Sequence, residues 1–234
     1  MSRSIFLRIS LWGLFVFALA SAASAQSTIF NAPNTDVQTK NGAYMEFDFI
    51  THLDKYSKGG YQTYGYRVVY GVTRKLEAGV NFFYTRDGAT SPKELQLNAK
   101  YQAYSNEKHG FAVAVGAQTF TPLNRSSGHR TSAMIYSTAS KKIGRLRLTG
   151  GAYQLVHTEA GSGAKRGAIV GIEVGLYKNL AFTGDWFSGN NRFGYASAGL
   201  SITIGTHHFI QGGYSWGNNG RGNNALQIFY GYTF

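Results

Sequence analysis

Hydrophobic and polar residues alternate along most of this chain in short segments. In the segment that starts at Leu76, one parity is apolar and the other is mostly polar or small. The apolar set is Leu76, Ala78, Val80, Phe82 and Tyr84, and the other set is Glu77, Gly79, Asn81, Phe83 and Thr85. Because successive side chains of an extended strand point to opposite faces, this pattern predicts a strand with one apolar face.

Segments of this kind recur from Ala43 to Phe234, separated by links rich in turn-forming residues. Among these segments, only Thr131 to Lys142 lacks a clear apolar face and a clear polar face. Longer links alternate with shorter ones along the chain, and the link Gly189 to Arg192 is a marginal case. We predict twelve strands, beginning near Ala43, Gly60, Leu76, Lys93, Gly110, Thr131, Arg145, Arg166, Leu180, Gly194, His208 and Asn224. Strands of about ten residues with such links are typical of a transmembrane barrel. The predicted fold is all-β, a transmembrane antiparallel up-and-down β-barrel of 12 strands.

The same parity divides the residues between lipid and bore. A closed ring of strands satisfies its own backbone in hydrocarbon, so the apolar faces must contact lipid and the polar faces must line the interior. Eight charged residues are predicted to line the lumen: Glu46, Asp48, Arg67, Glu94, Lys100, Arg147, Glu173 and Asp185. They fit either a water-filled channel or a closed bore filled by ion pairs. Many inward positions carry small residues, which favours a narrow pore because a filled bore needs large side chains.

Aromatic residues are expected at both headgroup levels of such a barrel. The proposed strand directions predict an aromatic girdle that comprises Tyr70, Tyr84, Tyr101, Trp186, Tyr214, Trp216 and Tyr232. The alternative is that aromatic residues are simply common in strands.

The C-terminal strand ends on an aromatic pattern, Tyr230, Tyr232 and Phe234. This pattern resembles the C-terminal strand of bacterial outer-membrane β-barrels, by which such barrels are recognised and inserted. The resemblance implies a Gram-negative outer membrane and contact with the barrel-assembly machinery. The string from Gly184 to Asn191 resembles hairpins of small porin-like barrels described as transporters. Within it, Asp185 is either a pore-wall carboxylate or a buried partner of Arg147 or Arg67.

The N-terminus has the features of a secretory signal peptide. Arg3 and Arg8 flank the start of an apolar run, and Ala23-Ser24-Ala25 supplies a small-residue cleavage site. We predict a signal peptide at 1–25, an N-terminal periplasmic segment at 26–42 and the barrel at 43–234. The segment 26–42 shows no alternation, so it lies either on the periplasmic side or inside the barrel mouth.

Composition narrows the partners. The formal net charge is +12, and the chain has no cysteine. The signal peptide argues against nucleic acid, so lipid headgroups, lipopolysaccharide and small anionic solutes are the expected counter-charges. Ten basic residues fall in or beside the predicted outer loops: Lys55, Lys58, Arg86, Lys93, Arg125, Arg130, Lys165, Arg166, Arg192 and Arg221. They either concentrate anions at the entrance or neutralise lipopolysaccharide.

The sequence predicts no enzyme, no metal site and no cofactor. The best candidate pair for catalysis is His157 with Glu159, but no nucleophile accompanies it in a catalytic string. His207 and His208 would point to opposite faces of a strand and could not share an ion. We expect a narrow passive channel for small hydrophilic solutes, with anions among the candidates; the alternative is a non-conducting structural or adhesion barrel with lipopolysaccharide-binding loops.

Overall fold

The computed structural model describes residues 27–124, 130–158, 162–220 and 222–234. The predicted signal peptide and the loop residues Arg125, Glu159 and Arg221 lie outside these ranges. Among the described residues, no helix is long and apolar enough to cross a membrane.

The described residues form twelve strands, and each begins within one residue of its predicted start. They are β1 (Ala43–His52), β2 (Tyr61–Gly71), β3 (Leu76–Arg86), β4 (Lys93–Asn106), β5 (Phe111–Pro122), β6 (Ser132–Ile143), β7 (Leu146–Val156), β8 (Arg166–Gly175), β9 (Leu180–Phe187), β10 (Tyr195–Ile204), β11 (His208–Gly217) and β12 (Ala225–Thr233). Two short 3-10 turns, Tyr56–Lys58 and Glu107–His109, lie in the links.

The strands close into a single barrel. Each strand pairs antiparallel with its neighbours in sequence, and β1 pairs with β12 from Tyr44 opposite Thr233 to Thr51 opposite Leu226. The register shifts once between β4 and β5, between Gln102 and Tyr104. Closure leaves no free strand edge, which is the condition for a sheet in hydrocarbon. The predicted fold is confirmed.

The two ends of the barrel differ in the length of their links. The links after odd-numbered strands, which we call the loop end, are 53–60, 87–92, 123–131, 157–165, 188–194 and 218–224. The links after even-numbered strands, the turn end, are the shorter 72–75, 107–110, 144–145, 176–179 and 205–207. Gly144 and Gly205 adopt φ of +60° and +64° in two of these turns, a left-handed conformation that favours glycine.

The outer surface of the barrel is apolar. Six aliphatic side chains on it are between 40 and 56 % exposed: Val80, Leu97, Leu148, Val170, Leu200 and Ile228. A continuous apolar belt of this kind is unfavourable in water and is suited to acyl chains.

The faces of β6, which the pattern left unassigned, follow from its neighbours. Met134 and Thr138 are buried, whereas Ile135 is half exposed on the outer surface. Met134 pairs with the inward Gln118 of β5, and Ile135 pairs with the outward Ala117. Pairing therefore determines the faces of a strand whose own sequence has weak alternation.

Residues 27–42 run inside the barrel, and we call them the plug. A bridge between Thr28 and Pro33 closes a tight loop, and at the turn end the Asn41 N–H donates to Gly71 O at 2.8 Å. Of the two positions expected for this segment, the structure shows the one inside the barrel, and the periplasmic assignment of residues 26–42 stays a prediction. The segment lacks alternation because it is not part of the sheet.

Candidate functional site

The tip of the plug is bound by one carboxylate. The backbone N–H groups of Phe30, Asn31 and Ala32 donate to Oδ2 of Asp185 at 3.2, 2.7 and 2.7 Å. Asp185 lies on β9 and is buried. Successive N–H groups that converge on one oxygen form a compact anion site. Asp185 therefore holds the plug; neither Arg147 nor Arg67 is its partner, which corrects that prediction.

Small inward residues make the socket for the side chains of this tip. A Cβ added to Gly171 would lie 2.0 Å from Ile29 Cδ1, and one added to Gly213 would lie 2.6 Å from Phe30 Cζ. Phe30 also packs edge-on against Phe229, with ring centroids 6.1 Å apart. The glycines do leave room in the bore, but the plug occupies part of that room. The inference from small residues to open space therefore needs correction.

Substitution of Gly171 tests this socket. We expect Gly171→Val to push Ile29 away and expose the plug tip, because the overlap is with the plug and overpacking costs about 1–3 kcal/mol. The chain has no cysteine, so Ala32→Cys supplies a unique thiol at a buried position. Its labelling by a water-soluble reagent should be about tenfold faster in the Gly171→Val background.

The matched control is Gly150→Val. A Cβ at Gly150 meets nothing within 4 Å, so the same change should leave the labelling rate of the Ala32→Cys thiol unaltered. Equal rates in the two backgrounds would contradict the assignment of Gly171 to the socket.

Further polar contacts fix the rest of the plug. Gln211 Nε2 donates to Ile29 O at 2.8 Å, and the Gln38 N–H donates to Glu77 Oε2 at 2.7 Å. Lys100 Nζ donates to Ser27 O at 2.8 Å and lies 3.2 Å from Glu77 Oε1. The side chains of Lys100 and Glu77 are each 2 % exposed. Lys100, which was predicted to line the lumen, therefore belongs to a buried ion pair that also holds the plug.

Arg147 connects the plug to the wall near the turn end. Its Nη2 donates to Glu173 Oε1 at 2.9 Å, and its Nη1 donates to Asp36 of the plug. Arg147 and Glu173 are opposite one another on β7 and β8. One guanidinium thus joins a wall carboxylate and a plug carboxylate, a geometry that arginine's planar fork favours.

A second charged cluster lies on β1 and β2. Arg67 Nε is 2.7 Å from Asp48 Oδ2, and Arg67 Nη1 is 3.3 Å from Glu46 Oε1. Tyr44 Oη donates to Glu46 Oε2 at 2.5 Å. The side chains of Glu46 and Asp48 are 1 and 0 % exposed, and that of Arg67 is 14 % exposed. One cation therefore serves two buried carboxylates.

A cavity of about 880 Å³ occupies the part of the bore that the plug leaves free. At the loop end its lining includes Arg130, His157 and Asn190. At its deepest level the lining comprises Ser27 and Thr28 of the plug together with Tyr44, Glu77 and Lys100. The cavity therefore runs from the loops down to the plug.

Arg192, from the loop between β9 and β10, reaches β4 on the opposite wall. Its Nη1 and Nη2 donate to Glu94 Oε2 and Oε1 at 2.8 and 2.9 Å. The guanidinium carbon lies 4.9 and 5.2 Å from the ring centroids of Phe120 and Phe193. Because β4 and β9 are far apart around the ring, this pair spans the loop end of the cavity.

Acidic groups outnumber basic groups among the side chains that make the contacts given above. Within the described residues, seven carboxylates and four cations of the bore and the plug take part in these contacts. The carboxylates belong to Asp36, Glu46, Asp48, Glu77, Glu94, Glu173 and Asp185, and the cations to Arg67, Lys100, Arg147 and Arg192. The formal balance of these contacting groups is −3, and Lys93 and Arg130 add two cations to the lining of the cavity.

The predicted girdle residues lie on the outer surface near both ends. Tyr70, Tyr101, Trp186 and Trp216 are exposed, and Tyr84, Tyr214 and Tyr232 are half-buried. Trp186 Nε1 donates to Asn218 Oδ1 at 2.9 Å. The terminal aromatics form a cluster, in which His208 Nδ1 is 2.8 Å from Tyr230 Oη and the Tyr232 and Phe234 rings are 4.8 Å apart. The girdle and insertion roles stay predictions.

The candidate catalytic pair is incompletely described. His157 lines the loop end of the cavity, whereas Glu159 lies outside the described residues. Over the described ranges, no three His, Cys, Asp or Glu side chains are grouped to hold a metal ion.

Sequence reasoning missed three groups of the bore: Asp36 of the plug, Glu77 beside Lys100, and Arg192 opposite Glu94. Glu77 could have been found, since it shares the inward parity of β3 and pairs in register with Lys100. Asp36 and Arg192 lie outside the strands, so no alternation indicates where they point.

Comparison with known proteins identifies the fold. No protein-family model and no curated protein sequence matches the chain. Among solved structures, the KdgM porin is similar with a TM-score of 0.60 at 8 % identity, and the KdgM porin in complex with disordered oligogalacturonate gives 0.59 at 8 % identity; each covers 82 % of this chain and 98 % of that chain.

An active-site mutant of outer membrane phospholipase A from Escherichia coli is similar with a TM-score of 0.50 at 14 % identity, covering 91 % of this chain and 98 % of that chain. Porins and an enzyme thus share this architecture, and fold alone does not assign an activity. The fold is that of the bacterial outer-membrane β-barrels.

Proposed function

We propose that this chain is a narrow outer-membrane channel for small hydrophilic solutes whose passage is closed by its own plug. The observation that carries the proposal is the cavity of about 880 Å³, which opens among the loops and ends on the plug. In outer-membrane barrels the long loops face outward, so the cavity would receive solutes from outside the cell.

The attachment of the plug supports a closure that can open. Besides the packing of Ile29 and Phe30 in their socket, the plug is held by hydrogen bonds and one ion pair, among them those of Asp185, Gln211, Lys100, Glu77 and Arg147. No covalent bond restrains it, since the chain has no cysteine. Such contacts are each worth roughly 0.5–3 kcal/mol, so the closed state is stable without being permanent.

The loop charges and the bore charges have separate roles in this proposal. The basic loop residues, such as Lys55, Lys58 and Lys165, would contact lipopolysaccharide phosphates or draw anions to the entrance. The bore carries charges of both signs in pairs, such as Glu94 with Arg192 and Glu77 with Lys100, so it gives no preference for anions. The structurally similar KdgM porin was solved in complex with oligogalacturonate; for this chain we propose a hydrophilic solute without requiring a negative charge.

A non-conducting structural barrel is the second candidate. One observation favours it: a buried apolar cluster fills the side of the bore formed by β5 to β9. The cluster comprises Ala32, Phe120, Met134, Tyr153, Leu155, Ile169 and Phe187. If this cluster and the plug never separate, the barrel would serve as an anchor for its loops.

Planar-bilayer recordings of Asp185→Asn test the channel proposal. The asparagine side chain lacks the negative charge of the carboxylate to which the three N–H groups donate. We expect this loss to weaken the closed state by about 1.4 kcal/mol and so to raise the open fraction about tenfold. Wild-type protein should show brief, rare openings, and the variant should show frequent ones with the same unit conductance.

The matched control is Asp87→Asn. Asp87 accepts hydrogen bonds only within its own loop, from Ala89, Thr90 and Ser91, so the change should leave the open fraction unaltered. Electrically silent recordings from correctly inserted wild type and Asp185→Asn would favour the structural barrel.

A further inference from the structure

The wall of the cavity carries a row of carboxamides from three neighbouring strands. The row comprises Asn81 on β3, Gln96 and Asn98 on β4, and Gln118 on β5. Asn81 is opposite Gln96, and Asn98 is opposite Gln118 in the strand register. All four line the cavity. The sheet therefore displays four uncharged polar groups side by side.

Hydrogen bonds within the row hold the amides in place. Asn81 Nδ2 and Gln118 Nε2 both donate to Gln96 Oε1, at 3.1 and 2.5 Å, and Asn98 Nδ2 donates to Asn81 Oδ1 at 3.3 Å. Gln96 Nε2 donates to Glu94 Oε1 at 2.7 Å. The buried pair Asn81 and Gln96 thus orients Asn98 and Gln118, which are half-buried.

The two outer amides keep hydrogen-bonding capacity for a ligand. Within the described part of the chain, Asn98 Oδ1 and Gln118 Oε1 accept no hydrogen bond, and each NH₂ group has a second hydrogen. An amide offers a donor and an acceptor a short distance apart, which complements hydroxyl groups because each hydroxyl also donates and accepts.

Aromatic rings lie on the same cavity. Tyr61 and Phe83 line it, and apolar walls with a few oriented polar groups are the usual composition of a small-molecule site. Rings of this kind pack against the C–H faces of a sugar while the amides bind its hydroxyls. The volume also lies within the range of such sites, about 300–1,000 Å³.

Existing ion pairs disfavour charged solutes. The carboxylates of the bore already contact a cation or a set of N–H groups, and their cations are occupied in turn, as in the pairs of Glu94 with Arg192 and Glu77 with Lys100. A charged ligand that bound to any of these groups would therefore replace an existing pair. A neutral ligand needs no such exchange.

We propose that the amide row is a binding site for uncharged polyhydroxylated solutes, such as short neutral oligosaccharides. The proposal deepens the channel function and rests on it, because the site lies on the path that a solute would take. The site opens to the loop end above the plug, so binding does not require the plug to move.

Three trisaccharides of matched size test the charge preference. Maltotriose is neutral, trigalacturonate is acidic and the glucosamine trimer is cationic, and each would be titrated calorimetrically into the full mature chain in detergent. We expect maltotriose to bind more tightly than both charged probes. Tighter binding of either charged trimer, or no binding of maltotriose, would overturn the proposal.

Two near-isosteric variants test the site itself. Asn98→Leu and Gln118→Met keep the side-chain volume and remove the free donors and acceptors, so each should weaken maltotriose binding by about tenfold. The matched control is Gln154→Met, on the outer face of β7 opposite Ile135. Unchanged affinity in both Asn98→Leu and Gln118→Met would overturn the assignment.

Conductance recorded on the same preparations separates the two proposals. Maltotriose binding in a barrel that never conducts would contradict the channel and leave the binding site in place. A conducting barrel that does not bind maltotriose would keep the channel and overturn the inference.

Discussion

Removal of residues 28–38 should turn a mostly closed barrel into a steadily conducting one. These residues carry the plug tip, including Ile29 and Phe30, and most of the polar anchors to the wall. Their absence joins the cavity to the turn end. We expect sustained openings of larger unit conductance in planar bilayers, in contrast to the brief openings of the wild type.

The deletion is best tested also in combination with Asp185→Asn, because the Asp185 carboxylate loses its three N–H partners when the plug is absent. The strands pair with one another and not with residues 28–38, so the barrel should still close, which the heat-dependent shift on a gel would verify. Equal conductance of a folded deletion variant and the wild type would contradict the role of the plug. A folded but silent variant would favour the structural barrel.

The barrel could be predicted from the sequence because its determinants are local. The alternation in β3 and β4 shows which residues face hydrocarbon and which face the bore. The same constraint acts on every strand that spans the membrane. The turns add glycine where the backbone reverses, as at Gly144 and Gly205. The strand starts therefore followed from the chain one segment at a time.

The contents of the bore could not be predicted in the same way. Inward parity identified Arg147 and Glu173, but their third partner, Asp36, comes from a segment without periodicity. Glu94 meets Arg192 across the bore, a contact that depends on closure of the ring. Side-chain parity gives direction and not distance, so it identifies candidates for pairing without identifying the pairs.

Small inward residues show the same limit. Inward glycines such as Gly171 and Gly213 are among the small residues that favour open space, and in the structure they receive Ile29 and Phe30. A glycine leaves the volume of a side chain free for water, for a solute or for another part of the chain. The sequence pattern does not distinguish these occupants, whereas the position of residues 27–42 inside the barrel does.

The charged cluster on β1 and β2 gives the largest expected effect on stability. Arg67→Met should destabilise the barrel by roughly 3–5 kcal/mol, because it leaves Glu46 and Asp48 buried without their cation. Both carboxylates are almost fully buried, so each depends on the guanidinium for a charge partner. Denaturant unfolding in detergent, followed by circular dichroism, measures the change.

The triple variant Glu46→Gln, Asp48→Asn and Arg67→Met separates charge from packing. If the loss arises from unpaired carboxylates, neutralising both should recover most of the stability, since a buried ion cluster can be replaced by uncharged groups at little net cost. If the loss arises from the volume of the arginine, the triple variant should stay as unstable as Arg67→Met.

Lys93→Met is the control for loss of a cation. Lys93 is exposed over the Tyr84 ring, and its removal should change stability by no more than about 0.5 kcal/mol. An Arg67→Met barrel that unfolds at the wild-type denaturant concentration would mean that Glu46 and Asp48 do not depend on this cation.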